Sequence, residues 1–178
     1  MKHETTRASR GIAPAIAGAA LFAACAAHAG TIQPEVGGGY GQGTPIAGTE
    51  NTVLLHLGAA YHFDNGLGAR IIWFADLDPF QAFTWTDNPM RTFSSFAGLQ
   101  LVDQIPLAEQ WNMMIGAGMG RTRYNLVNTG EAAASETDGI ATVGVQWKPA
   151  RHYAMSLQYN YLTASSVSET ALLFQWPF

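Results

Sequence analysis

Between Tyr153 and Leu162 the sequence reads YAMSLQYNYL, with Tyr153, Met155, Leu157, Tyr159 and Tyr161 at every second position and Ala154, Ser156, Gln158 and Asn160 between them. Successive side chains of an extended strand leave opposite faces, so a period of two gives one apolar and one polar face. A helix would need apolar residues three and four apart. The period recurs in Val53, Leu55, Leu57, Ala59, Tyr61 and Phe63 against Leu54, His56, Gly58, Ala60 and His62. It recurs again in Ala141, Val143, Val145 and Trp147 against Thr142, Gly144, Gln146 and Lys148. Followed along the chain, it predicts eight strands: about Gln33–Gly41, Thr52–Asp64, Leu67–Asp76, Thr92–Val102, Trp111–Tyr124, Gly139–Lys148, His152–Leu162 and Glu169–Phe178. Most are close to the 9–11 residues that a tilted strand needs to cross a bilayer.

The connections alternate in length. Asn65-Gly66 joins the second and third strands and suits a type I′ turn, and Pro149-Ala150-Arg151 joins the sixth and seventh. Gln42–Asn51, Leu77–Arg91 and Asn125–Asp138 are long, Thr163–Ser168 is shorter, and Asp103–Gln110 breaks the pattern of short even-to-odd turns. Short turns on one side and longer loops on the other are the pattern of outer-membrane barrels. Before the strands, Lys2, Arg7 and Arg10 precede an apolar stretch, Gly11–Ala24, and Ala27-His28-Ala29 has the small-x-small form of a cleavage site. Residues 1–29 are therefore expected to be a secretory signal peptide and residues 30–178 the barrel domain. A competing reading takes Cys25 as a lipidated residue, but Phe22 suits that site poorly and the Ala27/Ala29 site is better formed. Cleavage at Ala29 would remove the only cysteine, so no disulfide is expected.

Charge is sparse, at 12% of residues. Cleavage takes three basic residues and Glu4, so 9 basic and 13 acidic residues become 6 and 12, a formal charge of −6. Nucleic acid is not expected as a partner, because phosphate binding needs clustered Lys and Arg.

Eight alternating strands fit either a soluble barrel or sandwich with its apolar face inward, or a membrane barrel with that face outward. Glycine decides between them. Gly37, Gly39, Gly58, Gly98, Gly116, Gly118, Gly120 and Gly144 share the parity of Glu35, His56, Arg70, Gln100, Gln146, Gln158, Asn160 and Glu169. A narrow eight-stranded interior has room for little more than glycine and hydrogen-bonding side chains. The expected fold is thus all-β, an eight-stranded antiparallel transmembrane up-and-down barrel. Tyr61, Phe63, Trp111, Trp147, Tyr153, Trp176 and Phe178 fall near the strand ends on the side of the short turns, as one interfacial girdle.

The leader, the glycine-rich "PEVGGGYGQG", the hairpin "GVQWKPARHYAMSLQYNYL" and the final Phe178 together resemble the small eight-stranded outer-membrane barrels related to the OmpA transmembrane domain and the opacity-type proteins. The resemblance implies residence in the cell outer membrane, outer-membrane lipids and lipopolysaccharide as surroundings, and a monomer. It also implies that Phe174, Trp176 and Phe178 form a signal read by the barrel-assembly machinery. Pro177, inward beside the last residue, departs from that pattern and removes one donor, which a strand end tolerates.

Glu35, Arg70 and Glu169 share inward parity on the first, third and eighth strands, which predicts a lumen ion-pair cluster. It would act as a static plug or, if a pair exchanged partners, as a gate; the packed interior of so small a barrel favours the plug. Arg121 and Arg123 have outward parity at the end of the fifth strand, where guanidinium groups suit lipopolysaccharide phosphates, although two solvated loop charges would look the same. His56 and His62, six residues apart on one strand, are too far apart to share a metal, so no metal site is expected. A lipid A-modifying hydrolase or acyltransferase would need His, Ser and an acid together at the outer leaflet. Ser94, Ser95 and His56 have only Asp76 or Asp87 as orienting acids there, and no catalytic residue or cofactor is assigned. The aromatic run Pro79–Trp85 is read as an extension of the third and fourth strands or as a contact surface. These features predict a non-enzymatic protein with a structural or surface-interaction role. A narrow gated channel and the lipid A-modifying enzyme stand as alternatives.

Overall fold

The computed structural model describes residues 30–43, 50–77, 90–127 and 134–178. The proposed leader, the Pro79–Trp85 run and Asp87 lie outside them. Eight strands run in the order β1 (Gly30–Gly43), β2 (Glu50–Phe63), β3 (Leu67–Asp76), β4 (Met90–Ala108), β5 (Trp111–Val127), β6 (Ala134–Ala150), β7 (Tyr153–Leu162) and β8 (Ser168–Gln175). Each pairs with its neighbour in sequence, and β8 returns to pair antiparallel with β1, from Glu35↔Gln175 to Gln42↔Ser168. Closure leaves no open edge, which is the condition for placing strands in lipid, where nothing else can hydrogen-bond the backbone.

The alternation has the orientation that glycine parity predicts. Val53, Leu57, Leu99, Leu101, Met119, Val143, Leu157, Tyr159, Leu172 and Phe174 are exposed on the outer surface, while His56, Arg70, Gln146, Gln158, Asn160 and Glu169 are buried on the inner one. At most of the inward glycines an added side chain would strike a neighbouring atom. A methyl group at Gly118 would lie 1.9 Å from the Leu99 carbonyl oxygen, and one at Gly58 would lie 2.3 Å from Glu35 Oε1.

All strands but β3 differ from the sequence-based bounds, by most in β4 and β6. β4, β5 and β6 have 19, 17 and 17 residues, well beyond bilayer-crossing length. β4 absorbs most of the segment expected to be a long turn, so that Glu109-Gln110 alone joins it to β5, and a register shift between Pro106 and Ala108 accommodates the proline, which cannot donate to the ladder. All three even-to-odd turns are therefore short. The β2–β3 turn is not type I′, which needs positive φ at both central residues. Of the described residues only Gly66 (φ 90°) and Ser166 (φ 55°) have it. Gly66 N donates to Phe63 O (3.0 Å) and the flanking pair is His62↔Gly68, a three-residue loop with glycine in the left-handed position.

The lumen has two chemistries. Towards the loop end it is apolar, filled by Leu54, Ile72, Phe74, Phe93, Phe96, Ile140, Leu162 and Val167. Phe74 stacks on Phe96 at 5.2 Å and on Phe93 at 5.9 Å. Phe93 and Phe96 both face inward although three residues apart, because the β4–β5 register passes from Phe93↔Tyr124 to Ser95↔Arg123 and leaves Ser94 unpaired as a bulge. The middle of the lumen is polar.

Candidate functional site

The polar section of the lumen is a belt of side chains contributed by seven strands. Arg70 (β3) Nε donates to Glu35 (β1) Oε1 at 2.5 Å, and its Nη1 donates to Gln100 (β4) Oε1 at 3.2 Å. Gln100 Nε2 donates to Thr142 (β6) Oγ1 at 2.7 Å, and Thr142 Oγ1 donates to Asn160 (β7) Oδ1 at 2.6 Å. Asn160 Nδ2 donates to Glu169 (β8) Oε2 at 2.7 Å. His56 (β2) closes the circuit, with Nδ1 3.2 Å from Glu169 Oε1 and Nε2 3.2 Å from Arg70 Nη2. A guanidinium only donates and a carboxylate only accepts, so these partners assign the proton to Nδ1 and the acceptor role to Nε2.

Strand register explains the belt. Arg70 pairs with Gln100, Thr142 with Asn160, and Asn160 with Glu169, so three of the contacts run along two neighbouring rows of inward positions. β5 contributes no side chain. Gly118 lies opposite Gln100 and Gly116 opposite Thr142, and the missing side chains let Gln100 reach across to Thr142. Below the belt, Gln175 Nε2 donates to Glu35 Oε2 (3.1 Å) and Gln146 Nε2 to Gln175 Oε1 (2.7 Å).

The predicted trio is thus assembled in one place, but not as a single ion-pair cluster. Arg70 pairs with Glu35 and has no salt bridge to Glu169, which is reached through His56. His56 lies 3.6 Å from Glu35 Oε1 and 3.2 Å from Glu169, and is the member whose part sequence parity could not assign, because parity gives the face of a residue and not its neighbours in the lumen. Gln100, Thr142 and Asn160 were legible as inward polar residues but not as a circuit.

The remaining candidates occupy the outer surface. Arg121 and Arg123 are exposed, with Arg121 Nε donating to Ser135 Oγ (3.2 Å). Their rows, Ala97–Arg121–Thr137 and Ser95–Arg123–Ser135, are where the outer face turns from apolar to polar, directly above the Leu99–Met119–Gly139 row. From Trp111 to Arg121 is about 33 Å along the strand, or about 25 Å along the axis at a tilt of about 40°, the height of a barrel's apolar band. At the other boundary Trp111 stacks on Trp147 (6.2 Å), Tyr153 lies 6.4 Å from Phe174, and Trp176 and Phe178 are exposed. Backbone bonds from Trp176 N to Pro34 O (3.1 Å) and Phe178 N to Ile32 O (2.8 Å) carry the β1–β8 pairing to the final residue. Tyr61 departs from the expected girdle: it is buried, packed edge-on against Phe63 at 5.2 Å.

The residues considered for lipid chemistry are not brought together. His56 is enclosed in the belt with both nitrogens engaged, whereas Ser95 lies opposite Ala75 and Arg123 on the outer face. Asp76 accepts a hydrogen bond from Thr52 at the loop end. Asp138 is an organiser that the sequence did not single out. It accepts from Thr122 Oγ1 (3.0 Å), Ala164 N (2.7 Å) and Ser165 N (3.1 Å), and so anchors the β7–β8 loop.

No protein-family model and no curated protein matches the chain. Solved structures do. Neisserial surface protein A superimposes with a TM-score of 0.62 at 10% identity, over 84% of this chain and 97% of that one. Ail, the attachment invasion locus protein of Yersinia pestis, gives 0.55 at 16% identity over 84% and 99%. A de novo designed transmembrane β-barrel also gives 0.55 at 16% identity, over 84% and 96%. A designed barrel as similar as a natural one shows that the match concerns backbone architecture, and activity does not travel with it. Closure, an apolar exterior of bilayer height and these structural matches together establish an eight-stranded transmembrane up-and-down β-barrel with the fold of the small outer-membrane barrels.

Proposed function

We propose that the protein resides in the outer membrane as a non-conducting, non-enzymatic barrel, and that it works through its outer surface and loop-end rim by holding lipopolysaccharide or a surface partner. The observation that carries this reading is the contrast between the two surfaces. The lumen is filled by a hydrogen-bonded belt under an apolar plug, while Arg121 and Arg123 stand exposed at the upper edge of the apolar band. In this orientation the short turns face the periplasm and the extended ends of β4, β5 and β6 face outward. Two of the similar structures are named for the cell surface and for attachment and invasion, which agrees with work done at an exposed rim. Phosphate groups of lipopolysaccharide fit guanidinium forks held two residues apart on one face. Phe174, Trp176 and Phe178, outward at the periplasmic edge of the closing strand, are proposed as the segment read by the barrel-assembly machinery.

The test is binding of purified lipopolysaccharide to the folded barrel, with a dephosphorylated preparation as control. The double substitution Arg121→Gln/Arg123→Gln should weaken binding about ten-fold or more, and dephosphorylation should weaken binding by wild type to the same level. Equal binding by wild type and double variant would remove the arginines from the proposal.

A further inference from the structure

Below the belt the lumen opens at the turn end into a cavity of about 550 Å³. That is within the range of small-ligand sites, roughly 300–1,000 Å³. Lys148, partly buried in its wall, donates through Nζ to Gln104 Oε1 (2.8 Å). Because the Gln104 oxygen faces the ammonium, its amide nitrogen is the group directed at His62 Nε2 (2.9 Å), which must accept. This chain of bonds satisfies dipoles but leaves the lysine's charge uncompensated. Among the described residues no carboxylate lies within 4.0 Å of Lys148. Charges withdrawn from water are normally paired, since desolvation is otherwise uncompensated.

A second group in the same wall also lacks a partner. Gln33 is 1% exposed, lines the cavity, and its Nε2 has no hydrogen bond. Buried polar atoms of this kind are few in native proteins, and each calls for a ligand, a water or a strained site. Arg151 is exposed on the turn at the mouth, adding positive potential at the entrance, while Asp64 is exposed on the opposite turn.

We propose that this cavity is a binding site for a small soluble oxyanion, a phosphate or carboxylate entering from the turn end, with Lys148 as its counter-ion and the Gln33 amide as a second donor. The ligand supplies the carboxylate or phosphate charge that Lys148 lacks within 4.0 Å and the acceptor that Gln33 Nε2 lacks. Because the belt and the apolar plug close the lumen above, the site retains its ligand and does not pass it through. Lys148, Gln104, His62 and Gln33 all face the barrel axis, which selects a soluble anion over the phosphate of a bilayer lipid.

The experiment is a nitrogen-15 NMR titration of the folded barrel in zwitterionic detergent, at constant ionic strength, with inorganic phosphate, with succinate, and with phosphatidylglycerol added to the micelle. Saturable shifts at the Lys148 backbone amide and the Gln33 side chain are expected with phosphate or succinate. Lys148→Met should weaken that binding at least ten-fold, and Gln33→Leu several-fold. Lys148→Arg, which keeps the charge, should retain most of it and guards against a Met variant that fails to fold. Shifts that rise without saturating, that persist unchanged in Lys148→Met, or that only phosphatidylglycerol produces would overturn the site.

Discussion

Arg70 is fully buried with its charge committed to Glu35, and the consequences of removing it can be stated before the experiment. Arg70→Met would leave Glu35 enclosed without its cation, and breaking a buried pair from one side costs about 3–5 kcal/mol. Substituting both partners, Glu35→Gln/Arg70→Met, should cost less than Arg70→Met alone, as measured by denaturant unfolding in lipid vesicles. A double variant as unstable as the sum of the two singles would show that the pair is not coupled. Glycines offer a second comparison. A methyl group at Gly118 meets backbone, 1.9 Å from Leu99 O and 2.7 Å from Gln100 Cα, whereas at Gly38 the nearest atom is Leu54 O at 3.6 Å. Gly118→Ala should therefore destabilise by about 1–3 kcal/mol or more, and Gly38→Ala should be neutral or stabilise by about 0.4–1 kcal/mol in the same assay.

At the level of elements, the β2–β3 turn depends on one residue. Gly66 combines a φ of 90° with a backbone that a methyl group would strike, 2.6 Å from Gln104 O, while Asn65 Oδ1 accepts from Leu67 N at 3.1 Å on the exposed side. Gly66→Ala should cost about 1–2 kcal/mol, because a side chain is disfavoured at positive φ, and Asn65→Ala should cost about 0.5–1.5 kcal/mol through one lost hydrogen bond. Equilibrium unfolding of the two variants checks the order; a larger loss at Asn65 would favour the type I′ geometry over the three-residue loop. This turn also shows where the sequence was read correctly for the wrong conformation. Asn-Gly marked the place, but the loop length is set by whether Asp64 joins the strand or the turn, and that depends on pairing with β4, where Gln104 N donates to Gly66 O (3.1 Å). The bulge at Ser94 was likewise invisible, because nothing in "TFSSF" distinguishes an unpaired serine from a paired one until Tyr124 and Arg123 fix the register.

For the whole molecule, the filled lumen makes a prediction about transport. In planar bilayers the wild type should show no steady single-channel current, and Arg70→Ala should not open one, because the Phe74–Phe93–Phe96 plug lies above Arg70 and meets the belt only where Phe74 stacks on His56 at 5.9 Å. A defined conductance that appears on removing Arg70 would identify the belt as a gate and reinstate the channel. The same division of the lumen explains why the candidate residues were only partly legible. The parity of Glu35, Arg70 and Glu169 was correct, yet inward parity also holds for Ile72 and Phe74, so alternation alone could not show that the interior is half polar and half apolar.

The period of two determined the number of strands, the face that residues take wherever no bulge intervenes, and hence the outward turn of most apolar side chains. These are local properties, fixed by strand geometry before any two strands meet. Which inward residues become neighbours is set by the stagger of tilted strands on closure, a quantity that belongs to the complete cylinder. Only the tertiary structure therefore decided that His56 links Glu169 to Arg70, that two glycines of β5 let Gln100 reach Thr142, and that Lys148 faces a cavity with no carboxylate of the described residues within 4.0 Å of it.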